Sequence, residues 1–533
     1  MRRKKRSTGY LVLAAITLAA TGCGSSSGQT TLSTASTVLE SAAQATETSQ
    51  AERTADTDAS EATDYELIVN SADGEHAITA DAETAAYTRV RVEKTGEADG
   101  DEADFYGENA AIFATNGAEL TLTDIQVDTD GTHANAVFSY GEGTTVNISD
   151  STITTGGNCS GGLMTTGGGT MNARNLQIST SGNSSAAIRS DRGGGTVTVT
   201  GGDYETSGKG SPVIYSTADI TVSDANLTST ASQGVVVEGK NSVTLNDVTL
   251  TACNNTKNSD KSDYYQAVMI YQSMSGDADE GLASFTMNGG SLTNQNGDIF
   301  FVNNTRASIS LNGASIVNED SNGVFLRAAA AGWGSEGSNG GLVDLTAAGQ
   351  VIDGNMLVDE VSVLNLYLTD GSAFCGAINP DGASGQVYAE LTDGSVWVLT
   401  ADSYISSLTC DADSIDLNGY TLYVNGTPYT EGTASKGDPI EVTVQNSGRP
   451  DRMGDGNAPG GTPPDGEGGD FGGDRPEGTP PDGMGGDFGG DRPEGTPPDG
   501  FGGGFGGNPP EGNPPEGNPP DGEGGGSAPK GNL

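Results

Sequence analysis

Apolar residues recur along this chain in short alternating runs that return at a near-constant interval. A small–apolar–x–apolar–outward pattern appears nine times between Phe113 and Leu326. Its inward positions read as one column: Phe113, Phe138, Met164, Ile188, Ile214, Val237, Ile270, Val302 and Leu326. The steps between them are 25, 26, 24, 26, 23, 33, 32 and 24 residues. A coil that regains one register every ~24 residues gives such spacing, and a fixed period of this length marks a solenoid.

Each unit holds two runs. The first is the column strand, as in "SPVIYS" (Ser211 to Ser216), and the second follows as in "ADITVSDANLTST" (Ala218 to Thr230). The second recurs as "ELTLTDIQV", "TTVNISDSTI", "TVTVTGGDYE", "SVTLNDVTL", "SFTMNGGSL" and "SISLNGASI". Alternating Val, Ile, Leu and Thr predict strands, and the Gly, Asn and Asp clusters between them predict turns. No run beyond the leader has an apolar period near 3.6, so the chain is expected to be all-β. The long steps around Ile270 coincide with the insertions "NNTKNSDKSDYY" and "SGDADEG", which loops absorb at little cost.

In this layout, from roughly Glu66 to Thr430, the chain resembles the right-handed parallel β-helices of the pectate-lyase-like fold. Within that class it is similar to surface lipoprotein β-helices of Gram-positive anaerobes, some of which bind carbohydrate. The resemblance rests on architecture and implies a single solenoid of ~24-residue coils, with function only weakly constrained.

The ends of the chain read differently. A basic "MRRKKR" precedes an apolar stretch from Tyr10 to Ala20, too short to span a bilayer. It leads to "AATGC", which resembles the lipobox of bacterial lipoproteins, with Cys23 as the lipidated residue. Residues 1–22 are therefore expected to be a signal peptide and 23–64, rich in Ser, Thr and Ala, a flexible tether. Residues 65–446 would form the β-helix with its end caps. Residues 447–533, with the repeat "GTPPDGEGGDFGGDRPE", are expected to be a disordered Gly/Pro/Asp-rich tail. The expected location is the outer face of the cell membrane.

Charge narrows the partners. The net charge of −48 repels nucleic acid and anionic membrane surfaces. Neutral extracellular polysaccharide or cell-wall glycan remains open, as do acidic glycans bridged by calcium. Alternation points the residue after each column position outward. That gives Arg189, Tyr215, Glu238 and Tyr271 on successive coils, flanked by Asp191, Arg192 and Lys240. A coil rise of ~4.8 Å is close to one sugar ring, so this run is the expected glycan platform. The resemblance also raises an alternative, a calcium-dependent polysaccharide lyase with Arg189 or Arg192 as its base, although no clear trio of acidic ligands stands beside them. A third reading is a structural spacer. The acidic loop "EADGDEAD" nominates Asp99, Asp101 and Asp104 as calcium ligands. His76 and His133 stand beside no Cys or Ser in a recognisable triad, and no CxxC suggests zinc. Trp397 and Tyr420 are expected as buried fillers of the last coils, and Cys375 and Cys410 could meet on adjacent ones.

Overall fold

The structure, a computed structural model, describes residues 65–382 and 385–442. The expected signal peptide, Cys23, the tether and the tail lie outside the described residues.

The alternating runs form strands whose apolar side chains meet in one interior. The chain coils into a parallel β-helix with three strands per turn. The first face is an 11-stranded parallel sheet running from Ile78–Asp81 to Met356–Val358. The second and third faces belong to a 21-stranded sheet. They arise because the run expected as one strand bends in the middle. "ELTLTDIQVDT" becomes Glu119–Thr123 and Gln126–Thr129, with Asp124 between them at φ 52°. The same bend recurs at Asp150, Asn175, Asp224 and Asp247, all at positive φ. Asn and Asp tolerate this left-handed geometry better than other residues with a side chain. One step of the period thus turns the chain at the same place in every coil.

Coil-to-coil pairing keeps like on like. On the third face Val127, Ile153, Ile178, Tyr204, Leu227 and Leu250 stack inward. On the second, Asn246, Asn288 and Asn312 form an amide ladder with bonds of 2.8 and 2.7 Å. A tighter corner precedes the first face. There a Cβ on Gly157 would lie 1.9 Å from the Gly131 carbonyl oxygen, and one on Gly182 would lie 1.8 Å from that of Gly157. Only glycine lets the coils stack that closely.

The register of the first face differs from the expected column. Ile112, Val137, Leu163, Ile188, Ile214, Val235, Val268, Phe300 and Leu326 pair as one inward row. Phe113, Phe138 and Met164 are not inward: they share the outer row with Arg189, Tyr215, Val236, Met269 and Phe301. Val237, Ile270 and Val302 do point inward, but two residues further on, in line with Ser216. The cause is that the outer row is itself apolar, because other segments cover it. Ala110 packs with Phe138 and Met164, and Ala329 and Trp333 pack with Val236, Met269, Tyr271 and Phe301.

In the last coils Trp397 is fully buried and donates to the Gly376 carbonyl at 2.9 Å. Tyr420, expected beside it in the core, is exposed. Cys159, Cys253, Cys375 and Cys410 form no disulfide.

Candidate functional site

The expected platform is neither one column nor open to solvent. Arg189 and Tyr215 pair on neighbouring strands of one outer row. Glu238 and Tyr271 pair in a second row, two residues along. Arg189, Glu238 and Tyr271 are buried and Tyr215 is half-buried. The long insertions fold back over them instead of projecting away, and the segments following Asn254 and Ala329 meet where Gly332 N–H donates to the Lys261 carbonyl at 2.7 Å.

Burial forces the polar groups to satisfy one another. Glu238 accepts from the Tyr271 hydroxyl at 2.9 Å and from the Tyr215 hydroxyl, and it also contacts the Ser273 hydroxyl. Ser273 Oγ lies 2.7 Å from Ser275 Oγ, which donates to Asp277 at 2.7 Å. From Glu238 to Asp277 there are three oxygen–oxygen contacts but only two serine hydroxyl hydrogens. Burial raises the pKa of Glu238, against the hydroxyl hydrogen bonds it accepts from Ser273, Tyr215 and Tyr271, with Asp277 adding to the rise. Burial and the neighbouring Glu238 also push both phenols well above their ordinary range, so they remain donors.

Arg189 donates to Asp191 at 2.8 Å, and both side chains are buried. Burial opposes the guanidinium charge, yet Asp191 more than compensates and raises the pKa of Arg189. Arg189 and Asp191 thus form a buried ion pair at the edge of the covered face. Burial pushes Asp191 up to about 6, against the opposing pull of Arg189. Arg192 donates to Asp277 at 2.8 Å and to Asp101 at 3.2 Å, and lies 3.6 Å above the Phe105 ring. It clamps the helical turn Asp101–Phe105 onto the first face. Lys240 stands apart, in an exposed ion pair with Asp279 at 2.8 Å.

The expected calcium ligands do not converge. Asp99 accepts from the Gly100 amide at 2.9 Å, Asp101 reaches Arg192, and Asp104 turns inward toward His133.

Under the insertions lies a cavity of about 120 Å³. Its wall includes Arg189, Tyr215, Val236, Met269, Tyr271 and Trp333 on one side. Asn254, Lys257, Asn258, Tyr264 and Gln266 complete the other. Asn254 Oδ1 and Gln266 Oε1 are buried and have no hydrogen-bond partner. An unpaired buried acceptor costs about 1–3 kcal/mol, and both residues stand in the cavity wall. Sequence reasoning found Arg189, Tyr215 and Tyr271. It named the insertion around Asn254 to Tyr265 only as another place for the site, and it missed Trp333, Gln266 and the Ser273–Asp277 segment, whose signal was the polar run "YQSMSGDAD" inside an insertion.

The chain matches no known family model, no curated protein and no solved structure.

Proposed function

We propose that this protein is a non-catalytic carbohydrate-binding protein of the cell surface, and that its cavity takes one sugar ring or the end of a glycan. The aromatic faces and polar side chains that line one covered cavity carry this reading. Tyr215, Tyr271 and Trp333 offer ring faces on which pyranose C–H surfaces stack, and the amides of Asn254 and Gln266 bond sugar hydroxyls once their side chains turn toward the ligand. Arg189 and Lys257 add donors for ring and hydroxyl oxygens. A cavity of about 120 Å³ holds far more than one water, which needs roughly 10–15 Å³. Its lining comes from four successive coils, at Arg189, Tyr215, Val236 and Met269, but the insertions cover it, so a recessed site replaces the open platform expected from the sequence. The lipobox-like "AATGC" would place this site on a lipid anchor at Cys23.

A glycan array followed by calorimetry tests the reading. Gln266→Leu removes one orphan acceptor at similar volume. It should weaken binding tenfold or more while leaving thermal stability unchanged or higher, since an unsatisfied buried group is also removed. Unchanged affinity in a folded Gln266→Leu protein would move the site elsewhere.

A further inference from the structure

The most unusual cluster outside the cavity joins the acidic loop to two turns of the coil. His133 and Cys159 occupy the same corner position in consecutive coils, each at φ 55°. His133 N–H donates to the Asn158 carbonyl at 2.9 Å, and Cys159 N–H to that of Asn183 at 2.8 Å, so the two turns stack in register. A coil rise of ~4.8 Å then sets the imidazole beside the thiol. Asp104 reaches them from the helical turn Asp101–Phe105. One ligand atom from each of the three residues lies within 4.8 Å of the others, and all three residues are buried.

Hydrogen bonding around His133 fixes which ring nitrogen faces its neighbours. His133 Nδ1 lies 2.8 Å from the Ala98 carbonyl oxygen, which can only accept, so Nδ1 carries the hydrogen. Nε2 then faces Asp104 Oδ1 at 2.6 Å. That contact is at ion-pair distance but off the line of a hydrogen bond, and neither atom has another partner. Two buried atoms this close need a positive charge between them, which either a second ring proton, as in an imidazolium–carboxylate ion pair, or a bound cation supplies. A histidine fixed by an Nδ1–H to carbonyl bond, with Nε2 aimed at a thiol and a carboxylate, is the arrangement that metal ligation demands.

We propose that Asp104, His133 and Cys159 bind a zinc-like transition-metal dication. Mixed sulfur, nitrogen and oxygen donors suit zinc and its neighbours, whereas calcium takes oxygen alone. Thiolate and carboxylate together neutralise the dication, and three protein ligands leave a fourth position for water. Tetrahedral bonds of about 2.0–2.3 Å separate ligand atoms by roughly 3.3–3.8 Å, so binding opens the His133–Asp104 pair by a small side-chain rotation. A nucleophilic Cys–His–Asp relay fits less well. It needs the acid and the thiol on opposite ring nitrogens, and here Nδ1 is committed to the backbone. The metal would pin the acidic loop to the coil, next to the Arg192–Asp101 clamp.

The test uses the purified full-length chain. Metal content is measured by mass spectrometry, and cobalt(II) is titrated in as a spectroscopic probe. One equivalent should give intense tetrahedral d–d bands and a thiolate-to-cobalt charge-transfer band. Cys159→Ser should abolish the charge-transfer band and weaken cobalt and zinc binding at least tenfold. This variant should fold, because Ser184 occupies the same corner of the next coil at φ 56°. Asp104→Asn should weaken binding as well, and Cys253→Ser should leave both bands intact. Absence of a cobalt spectrum in the parent, or an unchanged one in folded Cys159→Ser, would overturn the proposal.

Discussion

At the scale of single residues, the site is built from groups that burial has made expensive. Asp191 shows the effect in a form that titration can read. The unfolded chain releases this proton near 3.8 and the folded chain at about 6, so between those values the folded state holds the extra proton. Its contribution to stability is fully present below the unfolded pKa and is lost as pH rises through the folded one. Arg189 stays charged throughout, so its loss of an ionised partner in Asp191→Asn is a constant offset. The stability of the parent relative to Asp191→Asn should therefore fall by about 3 kcal/mol between about pH 4 and about pH 7 and then level off. Denaturant titrations across that range check it. A difference that grows with pH would show that Arg189 lowers the Asp191 pKa more than burial raises it. Arg189, Tyr215 and Tyr271 were legible as outward residues because alternation along a strand is local. His133 and Cys159 were not, because they sit 26 residues apart in turns, where no side-chain period speaks. The clue was that their separation equals one coil.

At the scale of elements, the bend in each coil is the feature that sequence alternation hid. "DITVSDANLTS" reads as one amphipathic run, yet it forms Asp219–Ser223 and Asn226–Ser229 about a left-handed Asp224 at φ 55°. Replacing Asp224 with Val should cost about 1–2 kcal/mol, since a branched side chain clashes in that geometry. Asp224→Gly should be close to neutral. Equal melting temperatures for the Val and Gly variants would contradict the bend. The slipped register on the first face has a related origin. Phe113, Phe138 and Met164 look like core because they are apolar, and they are apolar because other segments bury the outside of the sheet. Binary patterning assigns a strand's faces only when one of them meets water.

At the scale of the whole molecule, the ~24-residue period made the solenoid legible without any relative to compare. The fate of the insertions was not legible, because loop length carries no direction. The insertion beginning at Asn254 could have projected into solvent, but it closes over Arg189, Tyr215 and Tyr271 and creates the cavity. The central claim is that this covered face binds sugar. The chain's two tryptophans make it directly measurable. Trp333 lines the cavity, and Trp397 is sealed in the core of the last coils. Titrating the parent with a glycan selected on the array should give a saturable change in tryptophan fluorescence. Trp333→Phe, which keeps an aromatic face, should lose that change while Trp397 still emits. A fluorescence change that survives intact in Trp333→Phe would contradict the account and place the ligand away from this cavity.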